Sequence, residues 1–311
     1  MTTTDTKRLH GGIDLGGTKI EAALFDRDFK KLDTRRLDTP RGSYEDLLAA
    51  IDAQYAWLSV QAQDPALAVG IGLPGYFSKT SGLYHAANLP ASGRPFRDDL
   101  TARLPHLVIG QDLKCFALSE ARGGAGDGAR HVFGLIMGTG LGGAYCVDGH
   151  LVDGLQGLVG EVGHLPIGAA TARAHDLPQI ACGCGRIACL ETLVAGPGLE
   201  RLARHLGLEA TGTREIFALY AKADAQAQAV VDVWLDLCAQ TLLTIQMSLD
   251  PDVIVLGGGL SNVDGVERLL EDRLSRVVLR GTVGPSIRRA KFGDASGVRG
   301  AAMLTQDLVI A

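Results

Sequence analysis

The chain has 311 residues, of which 46% are hydrophobic and 21% are charged, and its formal net charge is −5. A chain of this length usually divides into two domains. The acidic balance excludes the basic surface that is typical of nucleic-acid binding. No apolar run has the length of a membrane span, and the first ten residues lack the apolar core of a signal peptide, so we expect a cytoplasmic protein.

Predicted strands and helices alternate along the chain. Short apolar runs around glycine turns predict β-hairpins, and longer segments with apolar residues at helical spacing predict helices. In chain order the predicted elements are a hairpin at 11–26, a helix at 43–60, strands at 69–73 and 108–109, a helix at 113–122, a second hairpin at 132–149, a loop-rich segment at 151–195, helices within 197–249, a strand at 253–256, a helix after it, and a last helix near 297–308. The alternation and the likeness of the two hairpins predict two α/β lobes around a cleft.

Glycine-rich turns lie in both predicted hairpins. The first reads Asp14-Leu-Gly-Gly-Thr-Lys19 and the second reads Gly138-Thr-Gly-Leu-Gly-Gly143. Glycines let backbone N–H groups approach a phosphate, Lys19 can offset phosphate charge, and Asp14 suits a magnesium-bound water. Either turn alone could be a plain hairpin turn, but two of the same kind favour a phosphate clamp. Gly257-Gly-Gly259, after a buried strand, would let a nucleotide base or ribose lie against the backbone, or would be only a strand-to-helix turn.

The glycine patterns are not those of two common nucleotide-binding folds. The sequence lacks the Walker loop, and its first turn does not match the Gly-x-Gly-x-x-Gly fingerprint of dinucleotide-binding proteins. The second absence weakens an oxidoreductase interpretation.

Asp112 stands between a predicted strand and a predicted helix. It could be a helix N-cap, or it could be an ionised carboxylate that accepts a proton from an attacking hydroxyl. The chemistry of the sequence alone favours the cap.

Three of the six cysteines are crowded together at Cys182, Cys184 and Cys189. Three thiolates and one imidazole make a closed zinc site, and His164 and His175 are candidates for the fourth ligand, unless the three are unrelated reduced cysteines. Such a zinc ion would be structural. Glu161, His164 and Glu191 flank the cysteine loop and could hydrogen-bond the hydroxyls of a hexose.

The whole set of motifs resembles the ROK family (repressors, open reading frames, kinases) of the actin-like ATPase superfamily. The resemblance covers nearly the whole chain, and its motifs are Asp14–Lys19, Gly72-Leu-Pro-Gly75, Gly138–Gly143, Gly160-Glu-Val-Gly-His164, Cys182-Gly-Cys-Gly185 with Cys189 and Glu191, and Asp250-Pro-Asp-Val-Ile-Val-Leu-Gly-Gly-Gly259.

The resemblance implies two ribonuclease-H-like lobes with ATP and sugar bound between them. We predict an N-terminal α/β lobe of residues 1–112, joined by the C-terminal helix 298–311, and a C-terminal α/β lobe of residues 113–297 with the zinc loop. It also implies a homodimer, Mg²⁺ with the ATP, and a structural Zn²⁺. The implied roles are catalytic base for Asp112; sugar binding for Gly75, Asn88, Gln111, Asp112, Glu161, His164 and Glu191; nucleotide or phosphate binding for Asp14, Gly16, Gly17, Thr18, Lys19, Gly138, Thr139, Gly140, Gly257, Gly258 and Gly259; and zinc binding for His164, Cys182, Cys184 and Cys189.

Two branches of the family are similar to this sequence. Residues 86–90 and 115–120 resemble bacterial N-acetylglucosamine kinases, whereas residues 250–262 and 293–302 look equally like manno(fructo)kinases. The predicted function is therefore ATP-dependent phosphorylation of a hexose or N-acetylhexosamine, at the 6-hydroxyl, with fructokinase or mannokinase as an alternative. A sugar-binding protein without catalysis is an alternative of another class. A family repressor is disfavoured because only ten residues precede Gly11.

The sequence departs from the family pattern around the predicted base. The family usually has Asn-Asp-x-Asn, whereas this chain has Gln111-Asp112-Leu113-Lys114, and Ala188 replaces a usual glycine in the cysteine loop. Lys114 has no acidic residue three or four positions later. It could extend to solvent, or it could point toward Asp112 and alter the choice of sugar.

Overall fold

The structure is a computed structural model that describes residues 9–87, 89–210, 212–306 and 309–310. The described residues form two compact units. Unit 1 contains those of Met1–Arg122, Gly149–Gly157 and Asp294–Ala311, and unit 2 contains those of Gly123–Asp148 and Leu158–Gly293. These bounds differ from the predicted domains in that residues 113–122, 149–157 and 294–297 belong to unit 1.

The elements are numbered in chain order. The strands are β1 (His10–Leu15), β2 (Lys19–Phe25), β3 (Lys31–Asp38), β4 (Val69–Leu73), β5 (Tyr76–Phe77), β6 (Tyr84–His85), β7 (Leu107–Gln111), β8 (His131–Met137), β9 (Leu141–Val147), β10 (His150–Val152), β11 (Val253–Gly257), β12 (Ser286–Arg289) and β13 (Val309–Ile310). The α-helices are α1 (Tyr44–Ala62), α2 (Phe96–Arg103), α3 (Asp112–Ala121), α4 (Ala169–Ala174), α5 (Glu191–Val194), α6 (Gly196–His205), α7 (Thr213–Ala221), α8 (Ala225–Leu249), α9 (Val266–Ser275) and α10 (Ser296–Met303).

Unit 1 is built on a five-stranded sheet in the order β3-β2-β1-β4-β7. The β1–β2 hairpin is antiparallel, and β4 pairs in parallel with both β1 and β7. Strand β4 is apolar along its whole length because both faces of the sheet are covered there: Val69 and Ile71 are fully buried, as is Ile13 of β1. In the same unit, β10 pairs in parallel with β13.

Helix α10 packs unusually close to the central strands and to α3. A Cβ atom at Gly12 would overlap the carbonyl oxygen of Val298, and one at Gly70 would overlap that of Ala301. A Cβ atom at Gly300 would overlap the carbonyl oxygen of Cys115 in α3. Only glycine lets the backbones approach this far, so these positions fix where α10 and α3 lie.

Buried polar groups join the same two helices. Ser296 in α10 donates a hydrogen bond to Oε1 of Glu120 in α3 at 2.6 Å, and Arg299 donates to the carbonyl oxygen of Ser119 at 2.8 Å. Glu120 is fully buried, and an unpaired carboxylate there would be costly. These bonds therefore specify the register of α10 against α3.

Unit 2 contains four strands in the order β12-β11-β8-β9. The β8–β9 hairpin is antiparallel and β11 runs parallel to β8, so the arrangement of hairpin plus parallel neighbour seen in unit 1 occurs again. Helix α8 supplies much of the core: Trp234 is fully buried and its Nε1 donates to the carbonyl oxygen of Val194 at 2.9 Å.

Helix α8 is also, by length and composition, apolar enough to cross a membrane. This differs from the expectation that the sequence has no such run. Since 61% of its apolar window is buried inside the protein, α8 is packed as a core helix.

Candidate active site and metal centre

Hydrogen bonds to backbone carbonyl oxygens hold the turn between β1 and β2 in place. Gly16 donates its N–H to the carbonyl oxygen of Lys19 at 2.9 Å, and the Thr39 hydroxyl donates to the carbonyl oxygen of Gly16 at 2.7 Å. Arg41 donates from Nε and Nη2 to the carbonyl oxygen of Gly17 at 3.1 and 2.9 Å. The side chains of Thr18 and Lys19 are exposed, which leaves a hydroxyl and an ammonium group available to a phosphate.

Asp14 lies in β1 just before this turn, opposite Glu21 of β2 and beside Gly72 of β4. Burial, as the largest cause, and the charges of Asp112 and Glu21 together raise its pKa to about 7, while the charge of Lys19 opposes them. Gly297, in the first turn of α10, lies so close that a Cβ atom there would be 2.7 Å from Oδ2 of Asp14. A buried carboxyl group whose ionisation is opposed by neighbouring carboxylates is an oxygen donor that a divalent cation would stabilise, so the site fits magnesium.

Asp112 is the first residue of α3, and Gln111 is the N-cap. The cap interpretation of Asp112 is therefore wrong. Its Oδ1 accepts the N–H of Leu113 at 2.8 Å. The Asp112 backbone lies beside β4: a Cβ atom at Gly72 would be 3.7 Å from the Asp112 Cα, which is an ordinary contact distance. Burial raises the pKa of Tyr84, and the charge of Asp112 adds to this effect.

The other residues of unit 1 that were predicted to contact the sugar are Gly75, Gln111 and Asn88. Gly75 has φ +81°, and a Cβ atom there would overlap the carbonyl oxygen of His85, so this turn requires glycine. Gln111 is half-buried at the end of β7. Asn88 lies outside the described residues.

The Lys114 side chain does not extend to solvent, which was one of its two expected orientations. Its ammonium group forms an ion pair with Oδ1 of Asp153, in the segment of unit 1 that follows β10. The Lys114 side chain is 14% exposed, so it neither extends into solvent nor lacks an acidic partner.

The glycine stretches of unit 2 lie side by side. Gly138 donates its N–H to the carbonyl oxygen of Gly140 at 2.9 Å and accepts from the N–H of Gly196 at 2.8 Å, while Thr139 is exposed. Gly258 has φ +80° and contacts the same turn, since a Cβ atom there would be 2.9 Å from the nitrogen of Gly138. The structure thus brings Gly138–Gly140 next to Gly257–Gly259, the two stretches predicted to bind nucleotide.

The three predicted sugar-binding residues of unit 2 are close to one another. Oε2 of Glu191, at the start of α5, accepts the N–H of Leu141 at 2.9 Å, and Oε1 lies 4.0 Å from the Sγ of Cys182. Nε2 of His164 lies 3.9 Å from Oε2 of Glu161. The other ring nitrogen, Nδ1, faces the cysteines, at 3.6 Å from the Sγ of Cys182.

His164, Cys182, Cys184 and Cys189 form one cluster, in which the four ligand atoms lie within 4.8 Å of one another. The Sγ atoms of Cys184 and Cys189 are 3.7 Å apart. Zn–S bonds of about 2.3 Å in a tetrahedron place two sulfur atoms about 3.8 Å apart, so the cluster fits zinc. Burial, together with the neighbouring thiols, raises the pKa of Cys189 to about 12, and a bound cation would reverse that effect.

His175, the other candidate fourth ligand, is not part of this cluster. Its Nε2 makes a hydrogen bond with Oδ2 of Asp236 at 2.9 Å. His175 therefore joins the segment before the cysteines to helix α8.

Ala188 in the cysteine loop has φ +59°, in the left-handed region. This explains why a glycine is usual at this position in the resembling family, since an L-residue there costs roughly 1–2 kcal/mol. Two backbone hydrogen bonds hold Ala188 in this conformation: its N–H donates to the carbonyl oxygen of Ile180 at 2.8 Å, and its carbonyl oxygen accepts from the N–H of Ile167 at 2.9 Å.

Several residues that contact these sites could not be predicted from the sequence. Arg41 and Thr39 support the first glycine turn, Asp153 pairs with Lys114, and Gly297 packs against Asp14. Each acts on a residue at least twenty positions away, and neither local spacing nor composition reveals such contacts.

Comparison with known proteins gives consistent relationships. Residues 10–308 match the ROK family. The chain is 42% identical over 307 residues to an N-acetyl-D-glucosamine kinase of Pectobacterium atrosepticum, covering 95% of this chain and 98% of the relative. It is 41% identical over 300 residues to an N-acetyl-D-glucosamine kinase of Citrobacter koseri, covering 95% and 99%.

Solved structures that are similar to this chain belong to the same family. A ROK hexokinase from Thermus thermophilus has a TM-score of 0.83 at 32% identity, covering 95% of this chain and 97% of that one. A ROK family glucokinase from Streptomyces griseus, in complex with glucose and AMPPNP, has a TM-score of 0.75 at 26% identity, covering 95% and 98%. The predicted α/β fold of the actin-like ATPase superfamily is confirmed, and the chain belongs to the ROK family.

Proposed function

We propose that this protein is an N-acetylglucosamine kinase that transfers the γ-phosphoryl group of ATP to the sugar 6-hydroxyl. The observation that carries the proposal is the 42% identity to N-acetyl-D-glucosamine kinases over 95% of the chain. The unit 1 carboxylates and the unit 2 histidine–cysteine cluster support it, because their chemistry suits a cation-assisted reaction on a sugar.

Asp112 would act as the general base. Its carboxylate would take the proton of the attacking hydroxyl as the new O–P bond forms and the bond to ADP breaks. One carboxylate oxygen is fixed by the Leu113 N–H at 2.8 Å, which limits rotation of the group at the helix start. Magnesium, held through Asp14, would neutralise phosphate charge. The exposed Thr18 and Lys19, together with Thr139, are proposed phosphate contacts.

Glu161, His164 and Glu191 would hold sugar hydroxyls. A zinc ion bound by His164, Cys182, Cys184 and Cys189 would have a structural role. It would fix the His164 ring with Nδ1 toward the metal and Nε2 toward the sugar. Gly75, Asn88 and Gln111 are proposed further sugar contacts. Gly16, Gly17, Gly138, Gly140 and Gly257–Gly259 are proposed nucleotide contacts. A cytoplasmic homodimer remains our expectation.

The proposed substrate is tested by measuring ADP formation with N-acetylglucosamine, N-acetylmannosamine, glucose, mannose and fructose. We expect the highest kcat/KM with N-acetylglucosamine. A preference for fructose or mannose would support the manno(fructo)kinase alternative instead. Sugar binding without turnover on any member of the panel would refute the kinase and identify a catalytically silent sugar-binding protein.

Replacement of Asp112 by Asn removes the proposed base while keeping the size of the side chain. We expect kcat to fall by roughly 10²–10⁴-fold with little change in sugar affinity. Steady-state kinetics and sugar titration of the purified variant measure both quantities. Asp98→Asn, an exposed substitution in the first turn of α2 of the same unit, is the control. Near-normal turnover of Asp112→Asn would remove Asp112 from the catalytic role.

Elemental analysis of the purified protein tests the zinc site, and we expect about one zinc per chain. Cys189→Ser should lose the metal and weaken sugar binding, because the loop that carries His164 loses its anchor. Cys238→Ser changes a buried cysteine of α8 outside the cluster and should retain zinc. An active, folded wild-type protein that contains no zinc would contradict the assignment.

A further inference from the structure

Residues 153–157, which follow β10 in unit 1, form a segment without a hydrophobic anchor. None of its five residues is buried, and the Leu155 side chain at its tip is 84% exposed. Apolar burial normally holds a loop in one place. Within these residues that contribution is missing, so polar contacts must position the segment.

Two lysines from other parts of unit 1 make those contacts. Lys114, in the first turn of α3, forms its ion pair with Asp153, and Lys79, between β5 and β6, donates a hydrogen bond to the carbonyl oxygen of Leu155. The Lys114 ammonium group also lies against Gly157, where a Cβ atom would be 3.1 Å from Nζ. Gly157 has φ +70°, so the segment curves around the lysine head group.

The ion pair is better placed than an ordinary surface pair. Lys114 is 14% exposed and Asp153 is 38% exposed, so solvent screens their attraction less than it would at a fully exposed site. Lys114 is also only two residues after Asp112, within the same helical turn. A contact that fixes Lys114 therefore restrains the first turn of α3, which carries the Asp112 carboxylate.

We propose that the Lys114–Asp153 ion pair is a positioning element that ties the first turn of α3 to residues 153–157 and so sets how well the sugar hydroxyl meets Asp112. This inference rests on the proposed function of Asp112. Lys114 and Asp153 act through other residues and need not touch the sugar.

The test compares Lys114→Met, Asp153→Asn, the double variant and Lys114→Arg. We expect each single loss of charge to lower kcat/KM for the sugar about tenfold, equivalent to roughly 1.4 kcal/mol, with KM for ATP unchanged within about twofold. The double variant should be no worse than about twofold below either single variant, because both remove the same interaction. Lys114→Arg keeps the charge and should stay near the wild-type efficiency.

Two further measurements separate positioning from a general loss of structure. Arg103→Met breaks the ion pairs that join Arg103 of α2 to Glu45 and Asp52 of α1, and should leave the kinetics unchanged. Amide hydrogen exchange of residues 153–157 should speed up in Lys114→Met and not in Arg103→Met.

The proposal is overturned if Asp153→Asn keeps wild-type sugar kinetics, if the two single effects add in the double variant, or if exchange in residues 153–157 does not change. A wild-type protein that phosphorylates no sugar would instead refute the proposed function and the catalytic part of this inference, while the exchange measurement would still decide whether the tether exists.

Discussion

The close approach of helix α10 to the backbone around it is the constraint on which unit 1 depends. Gly12, Gly70 and Gly300 leave no room for a Cβ atom, and Gly297 places the start of the helix against the Asp14 carboxylate. Protein interiors are packed too densely for such contacts to yield without moving backbone. The glycines therefore set the position of α3 and β1 and, through them, of Asp112 and Asp14.

This packing has an electrostatic consequence. Asp14 lies near the N-terminal end of α10, where a helix favours negative charge, yet burial and the neighbouring carboxylates raise its pKa to about 7. Burial and the neighbouring carboxylates therefore disfavour the ionised form of Asp14 more than the helix end favours it, and a cation would relieve this. In unit 2, four side chains that could hold a metal ion converge on one point, and Glu161 and Glu191 lie beside it. In both units, therefore, the chemistry of the clustered side chains suits a cation.

Much of this arrangement could be predicted from the sequence, and the exceptions have physical causes. The hairpins at β1–β2 and β8–β9, helix α1 and strand β4 follow apolar periodicity. The cysteine spacing predicted the cluster, and the family resemblance chose His164 over His175 as its fourth member. Strand β3 was not predicted because its residues are mostly charged and exposed, as is common on a sheet edge. The Lys114–Asp153 pair and the Arg41 contact join residues far apart in sequence, so no local pattern could show them.

The most direct test of this account is the activity of Gly297→Ala. The added methyl group would meet the Asp14 carboxylate rather than backbone, and alanine suits a helix better than glycine, so the fold should survive with a small change in Tm. We expect kcat/KM for MgATP to fall at least about tenfold because the carboxylate is displaced. Gly42→Ala, where a Cβ atom meets nothing within 4 Å, is the control. Wild-type kinetics in Gly297→Ala would contradict the claim that this packing sets the position of Asp14.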